Sequence, residues 1–191
     1  MPPKNKFSKE QIVDAAFNIA KTEGIDSMTI RKVADQLGSS IAPIYVNFND
    51  VEELKRAVIK KVVDLNQHLL NEQHSGNPFG DIGVVSLRFA MEYPNLFRDF
   101  VMKQNDYFQA FDQEMGDKLV GLMKKDPELE GFTDEELKLI LFKMRAFQMG
   151  ISVMVANRLL HEEYDIEKMK EILDCAAEDV VTATRLRKKN D

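Results

Sequence analysis

The chain has 191 residues, enough for one large domain or two small ones, and its 44% hydrophobic content is sufficient for a buried core. No uncharged apolar run reaches the roughly 18 residues that a transmembrane helix needs, so we expect no membrane span.

The net charge of −6 is unevenly distributed along the chain. The first 73 residues carry ten basic and ten acidic side chains, so the remainder carries the whole acidic excess. A polyanionic partner would therefore meet the N-terminal third. The basic N-terminus has no apolar run behind it, unlike a secretory signal, which predicts a cytoplasmic protein.

Cysteine and histidine are sparse. The single cysteine, Cys175, cannot form an intramolecular disulfide, and with no histidine nearby we expect a buried small residue and not a redox sensor. His68, His74 and His161 lack metal-ligand spacing, and no phosphate loop or nucleophile elbow occurs. The sequence therefore predicts no metal, no cofactor and no enzymatic activity.

The first helix is predicted from its two ends. Ser8 can accept a hydrogen bond from the backbone of Gln11, whose side chain can reach back, and this capping box places the start at Lys9. Apolar residues at helical spacing follow, and Gly24 supplies the backbone conformation that commonly ends a helix. The pattern predicts a helix with one buried face.

Two short helices joined by a tight turn follow. Thr29 is a candidate cap for the first, which Gly38 ends. Ser40 is a candidate cap for the second, which extends through Asn47 and has Pro43 in its first turn, where a missing N–H costs no hydrogen bond. Such a pair is typical of a helix-turn-helix, whose second member can enter a DNA major groove.

The rest of the chain carries only helical signals. Asp50 and Glu53 form a capping pair for a long amphipathic helix that ends near Glu72, and Thr133 and Glu136 form a capping box for another. The later segments predicted to be helical are 79–92, 95–103, 106–124, 134–160 and 166–187. We therefore predict an all-α chain with an N-terminal helix-turn-helix domain over 1–48, a connecting helix over 49–74, and a helical domain over 75–191.

Four segments near the N-terminus occur in a recognisable order. They are Met28–Ala34, Gly38–Ser40, Pro43–Phe48 and Glu52–Leu54. Together they resemble the DNA-binding domain of the tetracycline-repressor (TetR) family, over a stretch from Phe7 to about Val62. The resemblance implies a dimeric helical repressor with a three-helix DNA-binding head, a connecting fourth helix, and a C-terminal domain that binds an inducer and forms the dimer interface.

The resemblance also implies roles for single residues. Thr29 would hold a phosphate through its hydroxyl and the helix N-terminus, and Arg31 lies near a position that touches DNA; the alternatives are a plain cap and a solvated charge. Tyr45 matches a tyrosine of the family that binds a phosphate oxygen. The alternative role for Tyr45 is that of a partly buried ring in the core. The residues that begin the recognition helix are Ser40, Ile41, Ala42 and Pro43.

Two positions depart from the family pattern. Asn47 stands where the family usually has histidine, and Val51 where it usually has a phosphate-binding lysine. Lys55, one turn after Val51, could supply the missing charge, as could an N-terminal arm with Lys4 and Lys6. The recognition helix is otherwise short and apolar, which suits contacts to thymine methyl groups and reading of DNA shape, since such side chains cannot form bidentate hydrogen bonds to bases.

The C-terminal region is rich in Met and Phe, which suits an adaptable ligand pocket and equally an ordinary core with a dimer interface. The candidate ligand-binding residues are Arg88, Gln104, Tyr107, Phe108, Phe111, Met144, Arg145 and Gln148. The last two long helices have broad apolar faces, which predicts that they form the interface of a homodimer.

The sequence thus predicts a DNA-binding transcriptional regulator of repressor type, whose dimer binds a palindromic double-stranded operator and is released by a small apolar or amphipathic effector. An alternative is a helical ligand-binding or adaptor protein with a degenerate DNA-binding head, which the departures at Asn47 and Val51 favour. A small helical enzyme is a third alternative, but it would need a cluster of perturbed acids or bases, and none stands at a recognisable spacing.

Overall fold

The protein, described by a computed structural model over residues 7–73, 75–102, 116–161 and 163–188, has helices and no strand within these ranges, which confirms the all-α prediction. In chain order the helices are α1 (Lys9–Glu23), α2 (Ile30–Gln36), α3 (Ala42–Tyr45), α4 (Val51–Glu72), α5 (Pro78–Glu92), α6 (Pro94–Phe97), α7 (116–123), α8 (Asp134–Ala156) and α9 (Ile166–Lys188). Short 3-10 turns lie at Ile25–Ser27 and Pro127–Leu129, and a π-helical turn covers Arg98–Met102. The helix predicted over 106–124 is confirmed over 116–123, and the earlier part of that prediction lies outside the described residues.

The described residues divide into two units, 7–65 with 93–102 and 66–92 with 116–188, excluding residues 74 and 162. Each unit has its own buried core. The domain boundaries predicted after residues 48 and 74 stay a prediction.

The predicted ends of α1 are confirmed. Ser8 Oγ accepts a hydrogen bond from the backbone N–H of Gln11 at 3.1 Å, and Gln11 Oε1 accepts one from the backbone N–H of Ser8 at 2.9 Å. Gly24 ends the helix with a φ of 89°, a conformation that other residues rarely adopt. The buried face of α1 consists of Ile12, Ala15, Ala16, Ile19 and Ala20.

The turn between α2 and α3 also follows the sequence. Thr29 Oγ1 accepts a hydrogen bond from the backbone N–H of Lys32 at 3.2 Å, so the predicted cap is confirmed. Gly38, with a φ of 61°, lets the N–H of Ser39 reach the carbonyl of Ala34 at 2.9 Å while its own N–H reaches Asp35 at 3.1 Å. These two bonds form a Schellman motif, which ends α2 and turns the chain towards α3.

The prediction that Ser40 caps α3 is wrong. The residue before the helix is Ile41, whose φ of −70° and ψ of −19° are themselves helical, and no side chain caps this end. A cap at Ser40 would bond to the N–H two or three residues later, and the third residue is Pro43, which has no N–H. The helix therefore starts later than predicted, at Ala42.

The second unit is built from α5, α7, α8 and α9. The capping box of α8 is confirmed by bonds of 3.3 and 2.7 Å between Thr133 and Glu136. One buried cluster joins residues of α5, α7, α8 and the turn after α7: Phe79, Ile82, Leu119, Val120, Met123, Leu129, Leu137, Ile140, Leu141 and Met144. Several α9 residues pack against it, including Ala176, Ala177 and Val180.

Helix α8 ends at Ala156, earlier than the predicted limit near residue 160. Arg158 has a φ of 55°, and the N–H of Leu159 bonds to the carbonyl of Met154 at 2.8 Å. This is again a Schellman motif, but its left-handed position is occupied by arginine. Because no glycine marks the stop, apolar periodicity alone could not locate it.

Helix α8 is also the one helix within the described ranges that is long and apolar enough to cross a membrane by length and composition. Its mean hydropathy reaches 1.5, yet only 28% of that window is buried. The reason is that α8 is apolar on two faces: one packs into the core, and the other exposes Leu139, Phe142 and Met154.

Candidate nucleic-acid interface

Helix α3 is buried on one side and open on the other. Ile44 and Phe48 are 0% and 1% exposed and hold the helix to its unit. On the opposite side Ile41, Tyr45 and Val46 are 47%, 51% and 64% exposed. The second member of the helix-turn-helix therefore presents an accessible face, as its predicted role requires.

A groove of about 320 Å³ lies beside this face, between the start of α2, the end of α3 and the start of α4. It is lined by Met28, Thr29, Ile30, Tyr45, Asn49, Asp50 and Val51. Three positions that the sequence singled out, Thr29, Tyr45 and Val51, are thus brought together. The Thr29 oxygen accepts its capping bond, so its hydroxyl hydrogen can still be donated to an anion.

The α4 side of the groove is acidic. Asp50 Oδ1 accepts a hydrogen bond from the backbone N–H of Glu53 at 2.7 Å, which confirms half of the predicted capping pair. The other half is wrong, because Glu53 accepts from the backbone and side-chain nitrogens of Asn49, both at 2.9 Å. The Asn49 backbone N–H is the main cause that lowers the pKa of Glu53 below its ordinary value. Glu53 therefore carries a negative charge at neutral pH.

Two of the predicted DNA-binding side chains have partners within the protein. Lys55 Nζ lies 2.8 Å from Glu52 Oε1, which offsets the charge that was expected to replace a lysine at Val51. Asn47 donates from Nδ2 to the carbonyl of Pro43 at 3.0 Å, so its amide is turned back onto its own helix.

The other predicted positions differ in exposure. Arg31, Ser40 and Ala42 are exposed, and Pro43 is half-buried. Asn49 and Asp50 line the groove without having been predicted to do so. In the sequence, both residues lie between a short predicted helix and the capped start of a long one, and this position could have indicated that they border the groove. Lys4 and Lys6 lie outside the described residues.

The predicted ligand-binding residues are only partly described. Gln104, Tyr107, Phe108 and Phe111 lie outside the described residues. The remaining four have these surroundings: Met144 is buried in the α5–α8 core, Arg145 is half-buried, Gln148 donates to the buried Ser152 at 2.6 Å, and Arg88 pairs with Glu92 at 3.1 Å.

The predicted burial of Cys175 is wrong, because its side chain is exposed on α9. In the part of the chain that the structure describes, no three His, Cys, Asp or Glu side chains form a group that could hold a metal ion.

Known proteins similar to this chain include bacterial regulators. No protein-family model matches the chain. An uncharacterised HTH-type transcriptional regulator of Mycobacterium tuberculosis is 36% identical over 80 residues, which cover 42% of this chain and only 37% of that protein. Another uncharacterised HTH-type transcriptional regulator, from Bacillus subtilis, is 20% identical over 171 residues, covering 87% of this chain and 88% of the relative.

Solved structures extend the likeness over nearly the whole chain. A transcriptional regulator from Rhodococcus superposes with a TM-score of 0.72 at 15% identity, covering 93% of this chain and 97% of that one. A TetR-like transcriptional regulator from the same genus gives 0.65 at 16% identity, covering 88% and 92%. The chain therefore has a TetR-like fold, so the resemblance found in the sequence is confirmed.

Proposed function

We propose that the chain is a DNA-binding transcriptional regulator of repressor type that acts as a dimer in the cytoplasm, without a cofactor or catalytic activity. Two copies bind a palindromic double-stranded operator, and a small apolar or amphipathic effector releases them. The open face of α3, beside a groove that joins Thr29 and Tyr45, is the observation that carries this proposal. In it, α3 enters the major groove while Thr29 and Tyr45 donate hydrogen bonds to phosphate oxygens.

The phosphate contacts of this interface are largely uncharged. Arg31 is exposed near the start of α2, whereas Lys55 is paired with Glu52. Asp50 adds negative charge at the edge of the groove, whereas the Glu53 carboxylate lies 3.6 Å from Lys9 Nζ. Because the salt dependence of binding follows the number of phosphates neutralised by cations, we expect a shallower dependence than a lysine-rich head would give.

The dimer forms through the exposed apolar stripe of α8. Its members stand three or four residues apart and so share one helix face: Leu139, Phe142, Ala146, Gly150 and Met154. A second copy of the same stripe is its partner, since two-fold interfaces bury the same patch of both subunits, and the small residues at the centre allow close approach.

The effector binds among the Phe and Met residues of the C-terminal region. Arg145 and Gln148, both half-buried on α8, are the polar side chains that orient it. An effector can release DNA only if it binds one arrangement of the two heads more tightly than the other.

Electrophoretic mobility shift with the promoter region of the protein's own gene, over a series of salt concentrations, tests the proposal. We expect a shift at low salt that Val46→Asp abolishes, because the substitution places a carboxylate against the DNA. Leu186→Asp on α9, a position with similar exposure, should leave the shift in place. A folded wild-type protein that shifts no duplex even at the lowest salt would overturn the proposal.

A second candidate is a helical ligand-binding or adaptor protein with a degenerate head. The Lys55–Glu52 pair and the acidic start of α4 favour it, since both weaken attraction to phosphate. This alternative predicts that thermal shift assays against a compound library find a stabilising ligand while no duplex is bound at any salt concentration.

A further inference from the structure

The outer face of α3 offers almost no group that can form a hydrogen bond with a base. Its exposed side chains are Ile41, Ala42, Tyr45 and Val46, three of them aliphatic. We propose that these aliphatic side chains recognise thymine methyl groups, so that thymines define each operator half-site. This inference rests on the proposed DNA-binding function and adds to it the chemistry of the sequence that is read.

The polar side chains next to this face are engaged within the protein. Asn47 donates its amide to Pro43, and Ser39 donates its hydroxyl to the carbonyl of Ser40 at 2.7 Å. Tyr45 lines the groove together with Thr29, which is the phosphate side in the proposed function. Only the Ser40 hydroxyl, at the edge of the face, remains as a short polar group that could approach a base.

Base edges in the major groove differ in what they offer to an aliphatic surface. Guanine, cytosine and adenine present only hydrogen-bonding groups beyond their ring atoms, and an aliphatic side chain would deprive these groups of water without replacing their bonds. The 5-methyl group of thymine is the one apolar group, and an aliphatic contact removes both surfaces from water. An apolar α3 therefore favours thymine.

The spacing along α3 suggests two contacts in each half-site. Ile41 and Ala42 lie one helical turn before Val46, which corresponds to about 6 Å along the helix axis. Successive bases on one strand are about 3.4 Å apart, so the two ends of the face match bases about two steps apart.

The experiment starts from duplexes that the full-length protein selects from a random-sequence library. Each thymine of the selected half-site is then replaced by deoxyuridine, which removes the methyl group and leaves every hydrogen-bonding group in place. We expect affinity to fall about fourfold for each contacted methyl group, the effect of exposing one buried carbon of this size. Uracil outside the half-site should have no effect.

Two matched variants assign the effect to α3. Val46→Ala should bring the ratio of thymine to uracil affinities close to one at one position of each half-site. Leu186→Ala, at a similarly exposed position on α9, should leave that ratio unchanged.

Three outcomes of these binding measurements test the thymine inference. Thymine-dependent binding that Val46→Ala removes supports the inference. Equal affinity of the wild-type protein for thymine and uracil half-sites, with binding intact, overturns the inference and leaves the proposed function standing. Failure to select or bind any duplex overturns the proposed function, and the inference with it.

Discussion

The carboxylate of Asp99 accepts a 2.6 Å hydrogen bond from the backbone N–H of Ile25, 74 residues earlier in the chain. Asp99 is buried in the π-helical turn after α6, and within the same unit it meets the turn that follows α1. Asn95 adds a second attachment, because its Nδ2 donates to the carbonyls of Lys21 at 3.1 Å and Thr22 at 2.7 Å. Segment 94–102 thus provides hydrogen-bond partners for backbone groups at the end of α1 that have no partner within the helix.

Removing this carboxylate should destabilise the first unit. We expect Asp99→Ala to lower the free energy of unfolding by about 1–3 kcal/mol, because the N–H of Ile25 stays buried without an acceptor. Asp99→Asn should cost less, since its amide oxygen can still accept. Urea denaturation measures both, and Asp35→Asn, at an exposed site on α2, is the control. Identical unfolding midpoints for all three variants would show that the Asp99 bond contributes nothing.

Gly24 should be intolerant of any side chain. A Cβ added there would lie 2.9 Å from Asp99 Oδ2, and the φ of 89° is unfavourable for other residues. We expect Gly24→Ala to destabilise the protein by more than about 1 kcal/mol. Gly121→Ala is the matched control, because it lies in helical α7 with open space around it and should stabilise by up to about 1 kcal/mol. Thermal unfolding followed by circular dichroism compares the two, and equal shifts would contradict this account of Gly24.

Local signals in the sequence located most of the helices. The capping boxes at Ser8 and Thr133 and the turn at Gly38 were predictable because every interacting atom lies within a few residues. Ser40 failed as a cap for an equally local reason, the missing N–H of Pro43. The end of α8 could not be read from the sequence, because the left-handed position is held by Arg158 and no glycine marks it.

The candidate site was predictable in outline only. Sequence identified Thr29, Tyr45 and the face of α3, because their order resembles a known domain. It could not show that Lys55 pairs with Glu52 or that Asn47 folds back onto Pro43, since each side chain had several partners within reach. The bond from Ile25 to Asp99 joins residues too distant in sequence for any local pattern to indicate it.

The packing of Phe48 should be essential for the head. Its ring is fully buried, and Lys9 Nζ lies 4.8 Å from the ring centre. We expect Phe48→Ala to lower the free energy of unfolding by about 3–5 kcal/mol, a large part of the stability of an ordinary domain. Tyr45→Ala, three residues earlier and half-exposed, should change stability by less than about 1 kcal/mol. Chemical denaturation separates the two, and a Phe48→Ala variant as stable as Tyr45→Ala would contradict the assigned core.

Association and DNA binding should respond to different surfaces. Phe142 is 70% exposed on the apolar stripe of α8, so Phe142→Asp should place a charge in the proposed interface and give monomers in analytical ultracentrifugation. Val46→Asp should leave the dimer intact and abolish DNA binding. A wild-type protein that is monomeric at micromolar concentration, or a Phe142→Asp variant that still dimerises, would count against this interface.

Contacts to phosphate and contacts to bases should be separable by substitution on α3 itself. Tyr45→Phe removes one hydroxyl that the proposed interface directs at a phosphate oxygen, so affinity should fall by about tenfold for every duplex. The salt dependence should stay the same, because no charge is lost. Ile41→Ala should instead change the order of preference among operators, since it alters a surface that faces base edges. Fluorescence anisotropy against a panel of duplexes compares the two variants at fixed salt. If both lowered all affinities in parallel, the division of α3 into a phosphate-binding tyrosine and a base-reading aliphatic face would be wrong.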